Sequence, residues 1–170
     1  MKIFLDTADT EAIRKYYNTG LVDGITTNPT LIMKSGRNPE EVYQEIKDIG
    51  IQDISMEVVG TEDEMLSEGK RLYEKFGDVA TIKVPCTREG LAVCKSLSDQ
   101  GIKVNVTLIF CAAQAVLAAK SGATYVSPFV GRLDDIVTMP PNILEQMYDH
   151  ILTDKGLEIF DKDWESVNAG

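Results

Sequence analysis

Short apolar runs alternate with longer amphipathic stretches along this chain. The runs are K-I-F-L-D-T (2–7), G-I-T-T-N (24–28), D-I-S-M-E-V (53–58), A-T-I-K-V-P (80–85), K-V-N-V-T-L-I (103–109) and Y-V-S-P-F-V (125–130), with a seventh, I-V-T-M-P, at 136–140. Their length and β-branched content predict strands. The stretches between the first six predict helices with marked ends. Asn38 followed by Pro39 gives a cap and a first-turn proline. Thr61-Glu62-Asp63-Glu64 has the form of a capping box. Gly20, Gly50, Gly77, Gly101 and Gly122 stand where helices should stop. Strand starts recur roughly every 20 to 30 residues, a spacing that predicts right-handed βαβ units and a parallel sheet.

Alternation within the runs separates a barrel from an open sheet. Residues two apart on a strand share a face. Phe4 and Asp6 share one, as do Thr26 and Asn28, Ser55 and Glu57, Thr81 and Lys83, Asn105 and Thr107, and Ser127 and Phe129. The opposite faces are apolar: Ile54, Met56 and Val58; Ile82 and Val84; Val104, Val106 and Leu108; Val126 and Val130. A barrel predicts one helix-covered apolar face and one inner face ending in polar groups at the C-terminal mouth. An open sheet covered on both sides would be apolar on both faces. The expected fold is therefore α/β, a (β/α)8 TIM-type barrel, taken as a single domain over 1–170 with a C-terminal helix. No G-x-G-x-x-G or P-loop follows the first run, which weakens a nucleotide-binding version of the open sheet.

One junction does not fit. Only Gly-Arg-Leu-Asp-Asp separates the sixth and seventh runs, while parallel neighbours need a crossover of about a dozen residues or more. Either the seventh run is antiparallel or no strand, or about one βα unit is absent between Asp135 and Ile136. The second is the favoured expectation. About 45 to 50 further residues, two of the chain's own spacings, would restore an eight-stranded barrel.

Composition narrows the function. Of 170 residues 44% are hydrophobic, enough for one core, and the formal net charge is −10. An acidic surface argues against nucleic acid as a partner, yet leaves room for a small phosphorylated ligand held by one or two local cations. Cys86, Cys94 and Cys111 lack C-x-x-C spacing and are expected to be free thiols in a reducing compartment. No apolar stretch reaches membrane-spanning length and no leader pattern opens the chain, so a cytoplasmic location is expected. The one histidine, His150, excludes a His-rich zinc site. It lies in a helical pattern and is expected to be a surface residue.

Lys83 stands inside an otherwise apolar run and predicts an inward lysine at the barrel mouth. It is either half of a structural ion pair or a nucleophile whose amine is freed by desolvation. Asp6 and Glu57, two carboxylates on different strands, leave open a magnesium site for phosphate chemistry.

The strand ends, in order, resemble the transaldolase family, in particular its short subfamily, which includes fructose-6-phosphate aldolase. The matching pieces are F-L-D-T-A-D (4–9), G-I-T-T-N-P-T-L-I (24–32), S-M-E-V (55–58), I-K-V-P (82–85), E-G-L-A (89–92), N-V-T-L-I-F (105–110), A-A-Q-A (112–115), S-P-F-V-G-R (127–132) and F-D-K-D-W (160–164). T-T-N-P-T together with I-K-V-P is the specific part. The departure is again the short junction, where the family carries a further strand with a serine and an arginine that help hold the substrate phosphate.

The resemblance implies a metal-free and cofactor-free reaction through a lysine Schiff base. Lys83 would form an imine with the ketone of a sugar phosphate. Asp6 would take the proton of the C4 hydroxyl as the C3–C4 bond breaks. Glu57 and Thr107 would position a proton-shuttling water. Thr26, Asn28, Asn105 and Ser127 would contact substrate with Phe129, and Arg132 would grip the phosphate. Glu57 and Phe129 point to transferase, since aldolase relatives tend to carry glutamine and tyrosine there. The implied activity is transaldolase, moving a dihydroxyacetone unit between ketose and aldose phosphates in the pentose phosphate pathway. The alternatives are an aldolase-type lyase and, if the short junction is a true deletion, a non-catalytic barrel remnant. The implied assembly is a homo-oligomer, pentamer or decamer, with sugar phosphates as partners and no nucleic acid or membrane.

Overall fold

The computed structural model describes residues 2–128. Six strands, β1 (Phe4–Asp6), β2 (Gly24–Thr26), β3 (Ile54–Glu57), β4 (Ala80–Pro85), β5 (Val104–Ile109) and β6 (Tyr125–Pro128), form one sheet in chain order. Every neighbouring pair is parallel. The connecting helices are α1 (Thr10–Tyr17), α2 (Pro29–Ser35), α3 (Pro39–Ile49), α4 (Glu62–Phe76), α5 (Arg88–Ser98) and α6 (Ala112–Lys120). A strand order that never reverses belongs to a barrel wall; a doubly wound sheet has a switch point. The seventh run, the Asp135–Ile136 junction, Phe129, Arg132, His150, Trp164 and the expected C-terminal helix lie outside the described residues.

The sheet is curled. In a flat sheet β1 and β6 would stand about 24 Å apart, five spacings of about 4.8 Å. Instead the rings of Phe4 and Tyr125 meet edge-on with centroids 5.3 Å apart. Gly24 on β2 makes room for this contact, because a Cβ there would lie 2.3 Å from the Phe4 ring. At the same end Asp53, buried just before β3, accepts hydrogen bonds from Thr81 (2.7 Å), Tyr125 (2.8 Å) and the Lys103 ammonium (3.2 Å). One carboxylate so links the N-terminal ends of β3, β4, β5 and β6. Its charge is offset by Lys103 and solvated by two hydroxyls, the condition for burying it at tolerable cost.

The outer face is the core. Ile54, Met56, Ile82, Val84, Val104 and Val106 are all fully buried against the helices. The helices form where their end signals stand. Asn38 accepts from the Glu40 amide and Pro39 occupies the first turn of α3. Val42, Ile46 and Ile49 give α3 its buried stripe. Gly50 ends it in a left-handed conformation, and a Cβ there would lie 2.6 Å from the Tyr17 hydroxyl. Thr61 and Glu64 form a reciprocal capping box on α4.

Two details depart from the sequence expectation. β2 ends at Thr26, and α2, a short helix not foreseen, begins at Pro29 with Asn28 as its cap. Asn28 and Pro29 repeat the signature of Asn38 and Pro39, so the cap outcompetes continued strand. The alternation in β5 also breaks after Thr107. Val106 pairs with Val126 and Ile109 with Pro128, so Thr107 and Leu108 together stand opposite Ser127. Leu108 sits at φ 58°, the left-handed region, and this β-bulge takes it off the apolar face where alternation puts it.

Candidate active site

Side chains from the middle and C-terminal ends of the strands collect on the inner face. Lys83 on β4 is 3% exposed. Its ammonium donates to the main-chain carbonyl of Thr27 at 2.9 Å and stands 3.1 Å from Glu57 Oε2. Glu57 is its register partner on β3, so the sheet itself sets the pair. Thr27 lies two strands away, past the end of β2; the curl brings its carbonyl within reach. The Glu57 side chain is 11% exposed, so both charges are largely withdrawn from water and each depends on the other.

Asn105, the partner of Lys83 on β5, is also buried. Its amide donates to Ser55 Oγ at 3.1 Å, and its carbonyl oxygen accepts from Ser127 at 2.8 Å. This chain of bonds fixes the amide orientation and joins β3, β5 and β6. Thr107, two residues on, is buried, and its hydroxyl has no hydrogen-bond partner. Such a group costs stability unless something fills it. A small polar occupant, such as a water, would satisfy it.

Asp6 and Thr26 form a second cluster. They are register partners at the ends of β1 and β2, and the Thr26 hydroxyl donates to Asp6 Oδ1 at 2.7 Å. Asp6 is exposed, open to a ligand above the sheet. It does not share a hydrogen bond with Lys83 or Glu57. Asn28 uses its side-chain oxygen on the Leu31 amide, 3.0 Å away, which leaves only its NH2 group for a ligand. Among the described residues no three His, Cys, Asp or Glu side chains converge as metal ligands.

Two contributors to this face are not visible in residue types. Thr27 acts through its carbonyl, and a main-chain acceptor leaves no mark in sequence. Alternation puts Thr27 on the outer side, where its hydroxyl donates to the Ser55 carbonyl at 3.0 Å. Gly90 is the other: a Cβ there would lie 2.0 Å from the Pro85 carbonyl oxygen. Only glycine lets α5 approach the end of the strand that carries Lys83.

Residues 3–137 match the family described as Transaldolase/Fructose-6-phosphate aldolase. A protein of Nitrosopumilus maritimus named "Probable transaldolase" is 46% identical, with 99% of this chain and 97% of the relative covered. One of Paracoccus denitrificans with the same name is 45% identical, covering 96% of each. One of Anaeromyxobacter dehalogenans, again so named, is 44% identical, covering 98% of each. The first alignment runs over 216 positions, at least 46 more than this chain has residues. Relatives thus carry an internal stretch of about the size the short junction calls for, and the family match itself ends two residues past Asp135.

Proposed function

Since this chain belongs to the transaldolase/fructose-6-phosphate aldolase family, we propose that it works as a transaldolase through a Schiff base on Lys83. The observation that carries the reading is the buried Lys83 ammonium 3.1 Å from Glu57. Transfer of one proton from Nζ to the carboxylate leaves a neutral amine and a neutral acid. In a poorly solvated pocket this removes two charges at once. The free amine adds to the ketone of a sugar phosphate, and loss of water gives the protonated imine. Glu57 and a water held by the unpaired Thr107 hydroxyl move protons in this step. Asp6 takes the C4 hydroxyl proton as the C3–C4 bond breaks, and the bond's electrons pass to the iminium as an enamine. Attack of that enamine on a second aldose phosphate, with the proton returned, gives a new imine, and addition of water to it releases the ketose phosphate and frees Lys83, completing the transfer of a dihydroxyacetone unit.

Asn105, Ser127, Thr26 and the Asn28 NH2 group supply hydroxyl contacts for the three-carbon fragment, with Phe129 beside it and Arg132 on the phosphate. The reading extends to a homo-oligomeric enzyme of the cytoplasm acting in the pentose phosphate pathway. No helix among the described residues is long and apolar enough to cross a membrane. The sequence gap relative to the family is assigned to the Asp135–Ile136 junction, where a βα unit with part of the phosphate grip would otherwise stand.

The test is borohydride reduction in the presence of fructose 6-phosphate, followed by peptide mapping. The expected product is a reduced three-carbon adduct on the peptide holding Lys83, absent in Lys83→Met. An adduct on another lysine, or none in the wild-type chain, removes the assignment.

A further inference from the structure

Cys86 and Cys111 both lie at the C-terminal rim of the sheet, one just after β4 and the other just before α6. Cys86 follows the last residue of β4, and its amide donates to the Thr107 carbonyl at 2.9 Å. Its half-buried thiol donates to the carbonyl of Gln114, in the first turn of α6, at 3.9 Å. Cys111 is the residue immediately before α6; it is exposed and makes no capping hydrogen bond. The Cys86 sulfur therefore lies on the first turn of the helix that Cys111 opens, and burial pushes its thiol up. Cys94 is different. It is buried in α5, bonded to the Ser121 carbonyl at 3.6 Å, and burial pushes its thiol up to about 11.

We propose that Cys86 and Cys111 are an oxidisable dithiol, with a peroxide as oxidant, whose disulfide locks the rim of the sheet between β4 and β5. Cys111, the accessible sulfur, attacks the peroxide O–O bond. It becomes a sulfenic acid, and the leaving oxygen departs as water. The Cys86 thiol then displaces the sulfenic oxygen as a second water, so two thiols and one peroxide give one disulfide and two waters. A disulfide needs Cα atoms within about 7 Å, so the link ties the segment after Pro85 to the start of α6. That segment is hydrogen-bonded to Thr107 and continues the strand of Lys83. Resting on the transaldolase reading, the oxidised form has lower activity, because the link holds the segment that continues the Lys83 strand and bonds Thr107 against α6, where it can no longer adjust around substrate.

The experiment uses the full chain and hydrogen peroxide at low excess, read by intact mass and non-reducing peptide mapping. The expected result is a chain about 2 Da lighter with Cys86 and Cys111 peptides linked and Cys94 unmodified. Cys111→Ser should prevent the link and keep the reduced activity. Cys86→Ser should leave Cys111 to gain oxygen without a link. A bond involving Cys94, a disulfide between two chains, or oxygen addition to Cys111 in the wild type would each overturn the pair. Dithiothreitol should reverse a loss of activity of at least tenfold; a linked chain of full activity would overturn the lock. A reduced chain without transaldolase activity would count against the catalytic reading alone, since the mass assay does not depend on it.

Discussion

Lys83 and Glu57 face each other across neighbouring parallel strands, nitrogen to oxygen 3.1 Å, with Thr27 supplying a second acceptor to the same nitrogen. Lys83 is buried and Glu57 is largely withdrawn from water, so replacing one strands the other. Glu57→Gln keeps the shape but removes the proton acceptor. Its kcat/KM should fall about 100-fold, and borohydride trapping on Lys83 should slow in parallel. Urea unfolding should show a loss of about 3 kcal/mol, the cost of breaking a buried ion pair. A variant that traps substrate as fast as the wild type would remove Glu57 from imine formation.

Thr107 separates stability from activity. Its hydroxyl is buried and unpaired, so Thr107→Val should leave the fold as stable or raise it by about 1 kcal/mol. Turnover should drop about 10- to 100-fold if that hydroxyl holds the proton-shuttling water. Melting temperature and kcat measured on one preparation give both readings, and a loss of stability with full turnover would contradict each.

Asn28 carries two tasks that substitution can split. Asn28→Ala should lose the α2 cap, at a cost of about 1 kcal/mol. Asn28→Asp keeps the capping oxygen and should melt like the wild type. It lacks the NH2 donor, so a raised KM with unchanged melting would mark a substrate contact. An unchanged KM would leave Asn28 a cap only.

Gly90→Ala should be among the more damaging small substitutions. The added methyl would lie 2.0 Å from the Pro85 carbonyl oxygen, a main-chain atom that cannot swing aside. A loss of about 3 kcal/mol is expected, read as a lowered denaturation midpoint. Lys95→Ala, at an exposed position on the same helix, should cost far less.

Acid should weaken two surface devices. Hydrogen bonds from the Thr61 amide and hydroxyl hold the Glu64 carboxyl below its ordinary value. Lys75, and then Arg71, do the same for Glu40. A carboxylate depressed in the folded state stabilises fully above its unfolded value and loses that contribution as pH falls through the folded one. The melting difference between wild type and Glu64→Gln should therefore be constant from about pH 7 to 5 and shrink below about pH 4. A difference that grows on acidification would reverse the sign of this linkage.

Alternation and spacing made much of the fold legible. The strands start within two residues of their expected positions, and the faces carrying Glu57, Lys83 and Asn105 point inward together. What escaped was whatever the main chain does by itself. The Thr27 carbonyl, the Leu108 bulge and the passage beside Gly90 depend on backbone geometry, which residue type reports only indirectly. Asn28 shows a different failure. Its cap signature was present in the sequence, yet the strand-end pattern drew it onto β2. Asp53 opened a recognised run, but its burial depends on Tyr125 from 72 positions away, and no local pattern announces that partner.

The meeting of Phe4 with Tyr125 has a cost in time. Lys2 and Tyr125, bonded in the finished protein, are 123 positions apart. At roughly 5 to 20 residues per second, a ribosome needs about 6 to 25 seconds to supply the second partner after the first. During that interval the nascent chain holds its opening strand without the aromatic wedge that shields it. Weakening Tyr125 should therefore show up first as lost yield during synthesis, before any change in the mature enzyme's turnover.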